Sequence, residues 1–294
     1  MQEKNKTVRK IITFLVLVIV FSIPLYYLII HSGSLQTAGG IYVFILMWAP
    51  GISGLLTQLI HEKSLRGMGW KIGKPRYLLI AYLAPLVYCL VVYGIIWLSG
   101  LGGFPNPEFI SAVTQGVSTS TSTPAMLVLR YCVSLATLGV LMGILSGAGE
   151  EIGWRGLFVP ELAKVTSFTK TVFLSGAVWT IWHLPLILFA DYSLPGVPKA
   201  YAVLMFTIMV LGINTLFSWL RLKSGSLWPA ALLHASHNVF VQAIFTPLTL
   251  QSKLTPWLID EFGAGLAFAG VVLALIFLRK GKDLGLKVQP VNES

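Results

Sequence analysis

The chain has 294 residues, of which 55% are hydrophobic and 11% are charged. Soluble domains carry about 25% charged residues, so this composition excludes an ordinary water-soluble fold. The formal net charge of +10 would favour nucleic-acid binding in a soluble protein. Here the basic residues stand between long apolar segments, which is typical of membrane proteins. We therefore expect membrane lipid as a partner and no nucleic acid.

Eight apolar segments have the length, about 20 residues, that crosses a bilayer as a helix. They cover residues 11–30, 39–60, 77–99, 125–147, 171–190, 201–220, 227–245 and 263–279. The pattern predicts an all-α polytopic membrane protein with about eight transmembrane helices. Cys89 and Cys132 lie inside these segments, where free cysteines pack like small apolar residues. The outer loop 100–124 is polar and is predicted to be flexible.

The distribution of basic residues predicts how the segments cross the membrane. With the N-terminus in the cytosol, all but three of the 21 lysines and arginines fall in or beside inner segments. The exceptions are Lys199, Lys253 and Arg130. We predict an integral multi-pass protein with both termini cytoplasmic. The pattern suits a bacterial plasma membrane or an endoplasmic reticulum, and we take the bacterial membrane as the expectation.

Ionisable side chains are costly inside a bilayer and therefore indicate function. Most acids are assigned to loops or tails, among them Glu161, Asp260 and Glu261. Three polar motifs lie in or beside apolar segments: Glu150-Glu151-x-x-x-Arg155, Trp179-x-x-x-His183 and His234-x-x-x-Asn238.

Helical geometry predicts how these motifs meet. Residues four apart share a face, so Glu151 and Arg155 are expected to form an ion pair that leaves the carboxylate of Glu150 available. His234 and Asn238 should face the same way, with His237 less well placed beside them. From the helical rise of about 1.5 Å per residue, we expect one site in the cytoplasmic half of the bundle, provided that the fourth helix continues past its apolar segment.

Each motif alone has a simpler explanation. Glu151 and Arg155 suit a solvated surface ion pair, His183 a hydrogen-bonded core histidine, and His234 with Asn238 a polar contact between membrane helices. Three such motifs at matching depth and in this order favour a shared site.

Together the motifs resemble the signature of the CPBP family, the type II CAAX prenyl proteases and bacteriocin-processing (Abi) intramembrane proteases. That signature is Glu-Glu-x-x-x-Arg, then Phe-x-x-x-His, then His-x-x-x-Asn or a near variant, on successive membrane helices. The resemblance covers about residues 145–245. One departure is Trp179 in place of phenylalanine, an aromatic exchange expected to preserve packing.

The resemblance implies an intramembrane endopeptidase, dependent on glutamate or on a metal. Glu150 and His183 would activate water, His234 and Asn238 would stabilise the oxyanion, and Glu151 with Arg155 would support the site. A second version places a divalent metal, most plausibly zinc, on Glu150, His183 and His234, since two histidines and one glutamate leave a position open for water.

The implied substrate is a membrane-associated protein or a prenylated or small peptide. We divide the chain into N-terminal helices with an outer loop at 1–124, a catalytic helix core at 125–245, and a last helix with a cytoplasmic tail at 246–294.

Other functions were weighed against this one. Gly51-Ile52-Ser53-Gly54 matches a rhomboid-like Gly-x-Ser-Gly but suits close helix packing better, because glycines recur where membrane helices touch. His61-Glu62 lacks the second histidine of a His-Glu-x-x-His metalloprotease. A proton-coupled transporter that uses the buried glutamate and histidine cluster, and a non-catalytic immunity or scaffold protein, stay open as alternatives.

Overall fold

The protein is built from helices that cross one bundle in alternating directions. A computed structural model describes residues 2–115 and 123–285. The helices are α1 Gln2–Ser32, α2 Ile41–Glu62, α3 Pro75–Leu98, α4 Pro107–Thr114, α5 Pro124–Val165, α6 Phe168–Phe189, α7 Lys199–Ser224, α8 at 228–248 and α9 Ala264–Gly281. In the described ranges the β-type pairing is a single bridge between Gly103 and Leu250. The all-α prediction is confirmed.

Seven of these helices are long and apolar enough to cross a membrane, namely α1, α2, α3, α5, α6, α7 and α9. The prediction of about eight differs from this number by α8, which forms where the seventh segment was placed. Its polar residues, which include His234, His237, Asn238 and Gln242, lower its hydropathy. The helix of the bundle with the most polar interior face is thus also a helix of the predicted site.

The helix ends follow from local sequence. Proline begins α3 and α5, where its missing N–H costs nothing. The Thr123 side chain accepts a hydrogen bond from the Met126 amide and caps α5. Gly225 ends α7 with a φ of 72°, a left-handed conformation that glycine adopts without strain. Within the predicted outer loop, the structure contains the short helix α4, and residues 116–122 lie outside the described residues.

Alternating helices give the bundle two ends. The loop end comprises the connections 33–40, 99–106, 190–198 and 249–263. They contact one another there, as at the bridge between Gly103 and Leu250, whose backbone groups bond at 2.9 Å. The terminal end comprises residues 2–10, 62–75, 161–168, 221–228 and 279–281, where Lys10 binds the carboxylate of Glu161 at 2.7 Å.

Helices α2 and α5 touch through backbone. A Cβ atom on Gly51 would lie 2.3 Å from the Gly149 carbonyl oxygen, and one on Gly153 would lie 2.3 Å from the Pro50 oxygen. The interpretation of the Gly-x-Ser-Gly segment as close packing is confirmed. Because Gly149 precedes Glu150, this contact fixes where the acidic motif lies against α2.

Several acids assigned to loops or tails are buried. Glu161 lies in the last turns of α5, and Asp260 and Glu261 are 8% and 4% exposed in the connection before α9. The assignment was wrong about their surroundings because it followed local polarity, whereas burial depends on which other elements cover a connection. The partition at residues 124 and 245 stays a prediction.

Candidate active site

A cavity of about 360 Å³ brings the predicted residues together. Glu150, His183, His234 and Asn238 all line it, from three different helices. Its remaining wall is mainly apolar and aromatic. This combination of an apolar cavity with a few converging polar groups is typical of ligand sites.

Indole N–H groups hold the carboxylate of Glu150. Trp179 Nε1 donates to its Oε2 at 2.8 Å, and Trp154 Nε1 lies 3.4 Å from the same oxygen. Trp179 therefore does more than preserve packing, since a phenylalanine at this position could not donate. The other oxygen, Oε1, faces His234 Nε2 at 3.8 Å, beyond hydrogen-bond length. Glu150 is 2% exposed, so its position is set by these neighbours.

The predicted ion pair between Glu151 and Arg155 is present, and Glu151 also contacts His234, which the spacing did not predict. Arg155 donates to Glu151 Oε1 at 2.8 Å, and His234 Nδ1 lies 2.9 Å from that same oxygen. With Glu151 ionised, Nδ1 carries the proton and donates. The pair was expected to support the site, and its direct contact there is with His234. A carboxylate behind a functional histidine fixes the orientation and the tautomer of the ring.

Asn214 of α7 completes this support. Its Oδ1 accepts from Arg155 at 2.7 Å, and its Nδ2 donates to the Val172 carbonyl at 2.6 Å and to Ser175 Oγ at 2.9 Å. The sequence motifs missed this residue, although an asparagine inside an apolar segment is itself a signal. The amide links α5, α6 and α7 behind the cavity. Arg155 also lies over the rings of Trp179 and Phe217 at 4.2 and 4.3 Å.

His183 is held through one nitrogen. Its Nδ1 lies 2.9 Å from the Trp179 carbonyl, which can only accept, so Nδ1 donates and Nε2 is the basic nitrogen of the neutral ring. Aromatic rings surround the imidazole: Trp182 meets it at 90° with centroids 4.8 Å apart, and Phe206 lies at 5.1 Å. The ring can therefore take part in proton transfer only through the nitrogen that its donor bond leaves free.

His237 lines the cavity but is engaged elsewhere. Its Nδ1 bonds to the Tyr88 hydroxyl, and its Nε2 lies 2.8 Å from Glu261 Oε1. Asn238 lines the cavity beside His234, as the four-residue spacing predicted. The preference for Asn238 over His237 as a catalytic residue stays a prediction.

Glu261 was missed as a cavity residue. Tyr192 donates to its Oε2 at 2.7 Å, and Gln242 Nε2 donates to its Oε1 at 3.1 Å. Burial alone would raise the pKa of Glu261, but the hydrogen bonds from His237 and Tyr192 lower it to about 2. Burial, together with the charge of Glu261, raises the pKa of Asp260 to about 7. A pair of adjacent acids at the boundary of an apolar segment, the same signal as Glu150-Glu151, could have drawn attention to this residue.

Two of the three site helices widen to π-helix directly after their polar residues. These π segments are Ile152–Phe158 in α5, after Glu150, and Val239–Phe245 in α8, after Asn238. Such turns are rare and occur frequently at functional sites, because the extra residue redirects the side chains that follow. The continuous α5 meets the condition set for a common site, since it runs well past its apolar segment.

The donor set does not form a complete metal site in this arrangement. Within residues 2–115 and 123–285, no three His, Cys, Asp or Glu side chains lie close enough together to hold an ion. Glu150 and His234 are neighbours, but a zinc site needs at least three protein ligands.

The cavity lies towards the loop end. Its rim includes the exposed Gln36 from the first connection, with Tyr192 and Glu261 from two others. Its deep part, at Phe217 and His234, is buried. Residues 2–10 and 279–285 lie at the opposite end, so a cytoplasm-facing site and a cytoplasmic position of these residues cannot both hold. The number of residues along one helix predicts how deep a side chain lies in the membrane, but not the direction in which the cavity opens. The side on which the cavity opens and the side on which the termini lie are therefore tested separately.

Comparison with known proteins agrees with the motifs. Residues 132–240 match the family model described as type II CAAX prenyl endopeptidase Rce1-like. The resemblance to the CPBP family is confirmed. A curated relative, CAAX prenyl protease 2 of Methanococcus maripaludis, is 29% identical over 143 residues.

The aligned part is 48% of this chain and 48% of the relative, so the match spans about half the length of each. The segment that matches the Rce1-like family model contains all four predicted catalytic residues. Glu261 lies beyond it. The apolar helices together with this family resemblance identify an integral, multi-pass membrane protein.

Proposed function

We propose that the protein is an intramembrane endopeptidase that hydrolyses a peptide bond of a membrane-associated substrate. The convergence of Glu150, His183, His234 and Asn238 on one largely apolar cavity carries this proposal. A buried carboxylate beside two imidazoles and an amide supplies both a base for water and donors for a developing oxyanion. The similarity to a prenyl endopeptidase family supports the same reaction class.

In the proposed reaction, water lies between Glu150 and His183. The carboxylate or the basic Nε2 of His183 takes a proton as the water oxygen adds to the substrate carbonyl. Asn238 donates to the resulting oxyanion. His234 donates from Nε2 when it is an imidazolium, because its Nδ1–H is engaged by Glu151, and the neighbouring glutamates stabilise that charge. The proton taken from water then passes to the leaving amine as the C–N bond breaks.

The apolar wall supports a substrate with an apolar group near the scissile bond. Phe44, Met209 and Val210 line the cavity together with aromatic rings of α6 and α7. A prenylated peptide is one such substrate, in keeping with the name of the curated relative, and an apolar peptide segment is another. Cleavage of matched peptides with and without the lipid separates these two.

Substitution of the proposed base tests the function. With purified protein in lipid and a membrane-anchored peptide, Glu150→Gln and His183→Ala should each lower kcat/KM by about 100-fold or more, because each removes a proton-transfer group. Glu108→Gln, an exposed acid of α4, is the control and should retain activity. Wild-type activity in both cavity variants would reject the assignment.

The metal-dependent version is tested separately. It requires Glu150, His183 and His234 to rearrange around a zinc ion, which would supply the acidity of the bound water. If it holds, a chelator should abolish cleavage, and zinc should restore it in proportion to the metal bound. Full activity of protein with less than about one-tenth equivalent of metal would reject this version and leave the glutamate mechanism.

A further inference from the structure

A chain of polar contacts runs along the loop end of the cavity. It begins at Tyr88 of α3, whose hydroxyl bonds to His237 of α8, and it continues from His237 to Glu261 in the connection before α9. Glu261 then accepts from Tyr192, in the connection after α6, at 2.7 Å. Four separate parts of the fold are thereby tied together. The proposed chemistry does not use any of these side chains.

The last member of this chain lies against a predicted catalytic residue. The ring of Tyr192 stacks on the imidazole of His183 with centroids 6.1 Å apart and an interplanar angle of 25°. The Tyr192 ring is itself enclosed, edge to face, by Phe206 and Phe262 at 6.3 and 5.3 Å. With its hydroxyl bound to Glu261, the tyrosine has a fixed position on one face of the imidazole.

The imidazole needs such a contact because its polar restraint is small. His183 Nδ1 bonds to the Trp179 carbonyl, one turn earlier on the same helix. That bond fixes the tautomer, but a ring held by one nitrogen can still tilt about it. Trp182 packs against the ring edge to face. Tyr192 adds a near-parallel surface, so the direction of Nε2 depends on where the tyrosine lies.

We propose that Tyr192, held by Glu261, is a positioning residue that aims His183 Nε2 at the reacting water. The inference rests on the proposed function. Tyr192 lies inside the segment matched by the family model, whereas Glu261, which holds it, lies beyond that segment. A misplacement of a proton-transfer group by about 1 Å can cost about 100-fold in rate. Tyr192 acts on His183 and does not itself touch the scissile bond.

Graded variants of Tyr192 separate its two contacts. Tyr192→Phe keeps the ring and loses the bond to Glu261, and it should lower kcat by about 3- to 10-fold. Tyr192→Leu loses both contacts and should lower kcat by about 30-fold or more, with KM changed by less than about 3-fold. Tyr201→Phe is the matched control. This variant loses a tyrosine hydrogen bond of 2.6 Å to the same connection, and the ring packs on Trp257 rather than on His183, so kcat should be unchanged.

A double variant tests whether Glu261 acts through Tyr192. Glu261→Leu removes the acceptor of the Tyr192 hydroxyl, together with the bonds to His237 and Gln242, so it should lower kcat at least as much as Tyr192→Phe. Adding Tyr192→Phe to Glu261→Leu should cause no further loss, because the bond between the two side chains is already absent. Multiplicative losses in the double variant, or equal losses in Tyr192→Phe and Tyr201→Phe, would overturn the proposal. If Tyr192→Leu does not fold, the comparison of the two phenylalanine variants still decides.

The same experiments distinguish a failure of the positioning role of Tyr192 from a failure of the proposed peptidase function. An active wild-type protein, an inactive Glu150→Gln variant and unaffected Tyr192 variants would overturn the positioning role and leave the peptidase intact. Activity that survives Glu150→Gln would instead reject the proposed function.

Discussion

Indole rings, not cations, hold the carboxylate of Glu150. Arg155, the buried arginine beside it, is engaged by Glu151 and Asn214. Neutral N–H donors can orient a carboxylate without pairing its charge, and they leave it available to accept a proton. These donors, chiefly Trp179 Nε1, partly offset the free energy that is lost when the carboxylate is removed from water.

Replacement of Trp179 by phenylalanine tests this arrangement. The change keeps an aromatic ring, restores the residue usual in the family, and removes the donor to Glu150. A hydrogen bond to a charged group contributes about 1.5–3 kcal/mol, so we expect kcat/KM to fall by about 10-fold or more. Trp70→Phe loses an indole bond of 2.7 Å to a backbone carbonyl at the terminal end and should remain fully active. Equal activity of both variants would show that the indole bond is not used.

At the scale of elements, the contact between α2 and α5 leaves no space for a side chain. The two helices approach through Gly51 and Gly149, directly before the acidic motif. Small residues allow membrane helices to pack backbone to backbone, where dispersion contacts and not the hydrophobic effect hold them together. Any displacement of α5 here would also displace Glu150 from Trp179.

Gly51→Ala should therefore destabilise the protein. The added Cβ would lie 2.3 Å from a backbone oxygen, and overpacking of this kind costs about 1–3 kcal/mol. Gly94→Ala in α3 is the matched control, since nothing lies within 4 Å of its Cβ position and alanine favours a helix. Thermal unfolding in detergent should show a lower Tm for Gly51→Ala alone. An unchanged Tm would mean that α2 and α5 can move apart at Gly51 without a loss of stability.

The elements and the convergence of the motifs were predictable because apolar length and four-residue spacing are local properties. Glu151 and Arg155 pair as their spacing requires, and α5 continues to carry Glu150 into the bundle. The contacts of Tyr192 and Glu261 were not predictable. They join connections that are distant along the chain, so neither residue has a local pattern that identifies its partner.

For the whole molecule, the distribution of lysine and arginine indicates which end of the bundle faces the cytosol. The terminal end holds 13 of the 20 described lysines and arginines, and Arg76, Lys170 and Lys282 lie directly beside it, whereas Lys199 and Lys253 lie at or beside the loop end. The positive-inside rule then favours a cytoplasmic terminal end. We propose that the cavity opens on the opposite, non-cytoplasmic side, which revises the expectation of a cytoplasm-facing site.

Cysteine labelling in intact cells tests this orientation. With Cys89 and Cys132 replaced by alanine, a membrane-impermeant maleimide should label Ser34→Cys at the loop end. It should label Lys71→Cys at the terminal end only after the cells are permeabilised. Both parent residues are exposed, so access and not burial decides the result. The reverse pattern would return the cavity to the cytosol and place the termini outside.

The π segment in α5 also has a consequence for how the motif can change in evolution. A π turn is an α-helix with one residue inserted, so the chain before Ile152 and the chain after Phe158 follow different helical frames. Deletion of one residue between them would restore a regular helix and leave the following part facing as it does now, with Glu161 still against Lys10, because the widened turn absorbs the extra residue. A one-residue alignment gap at this point would therefore mark a relative that keeps both ends of this helix in place and lacks only the widened turn beside the cavity.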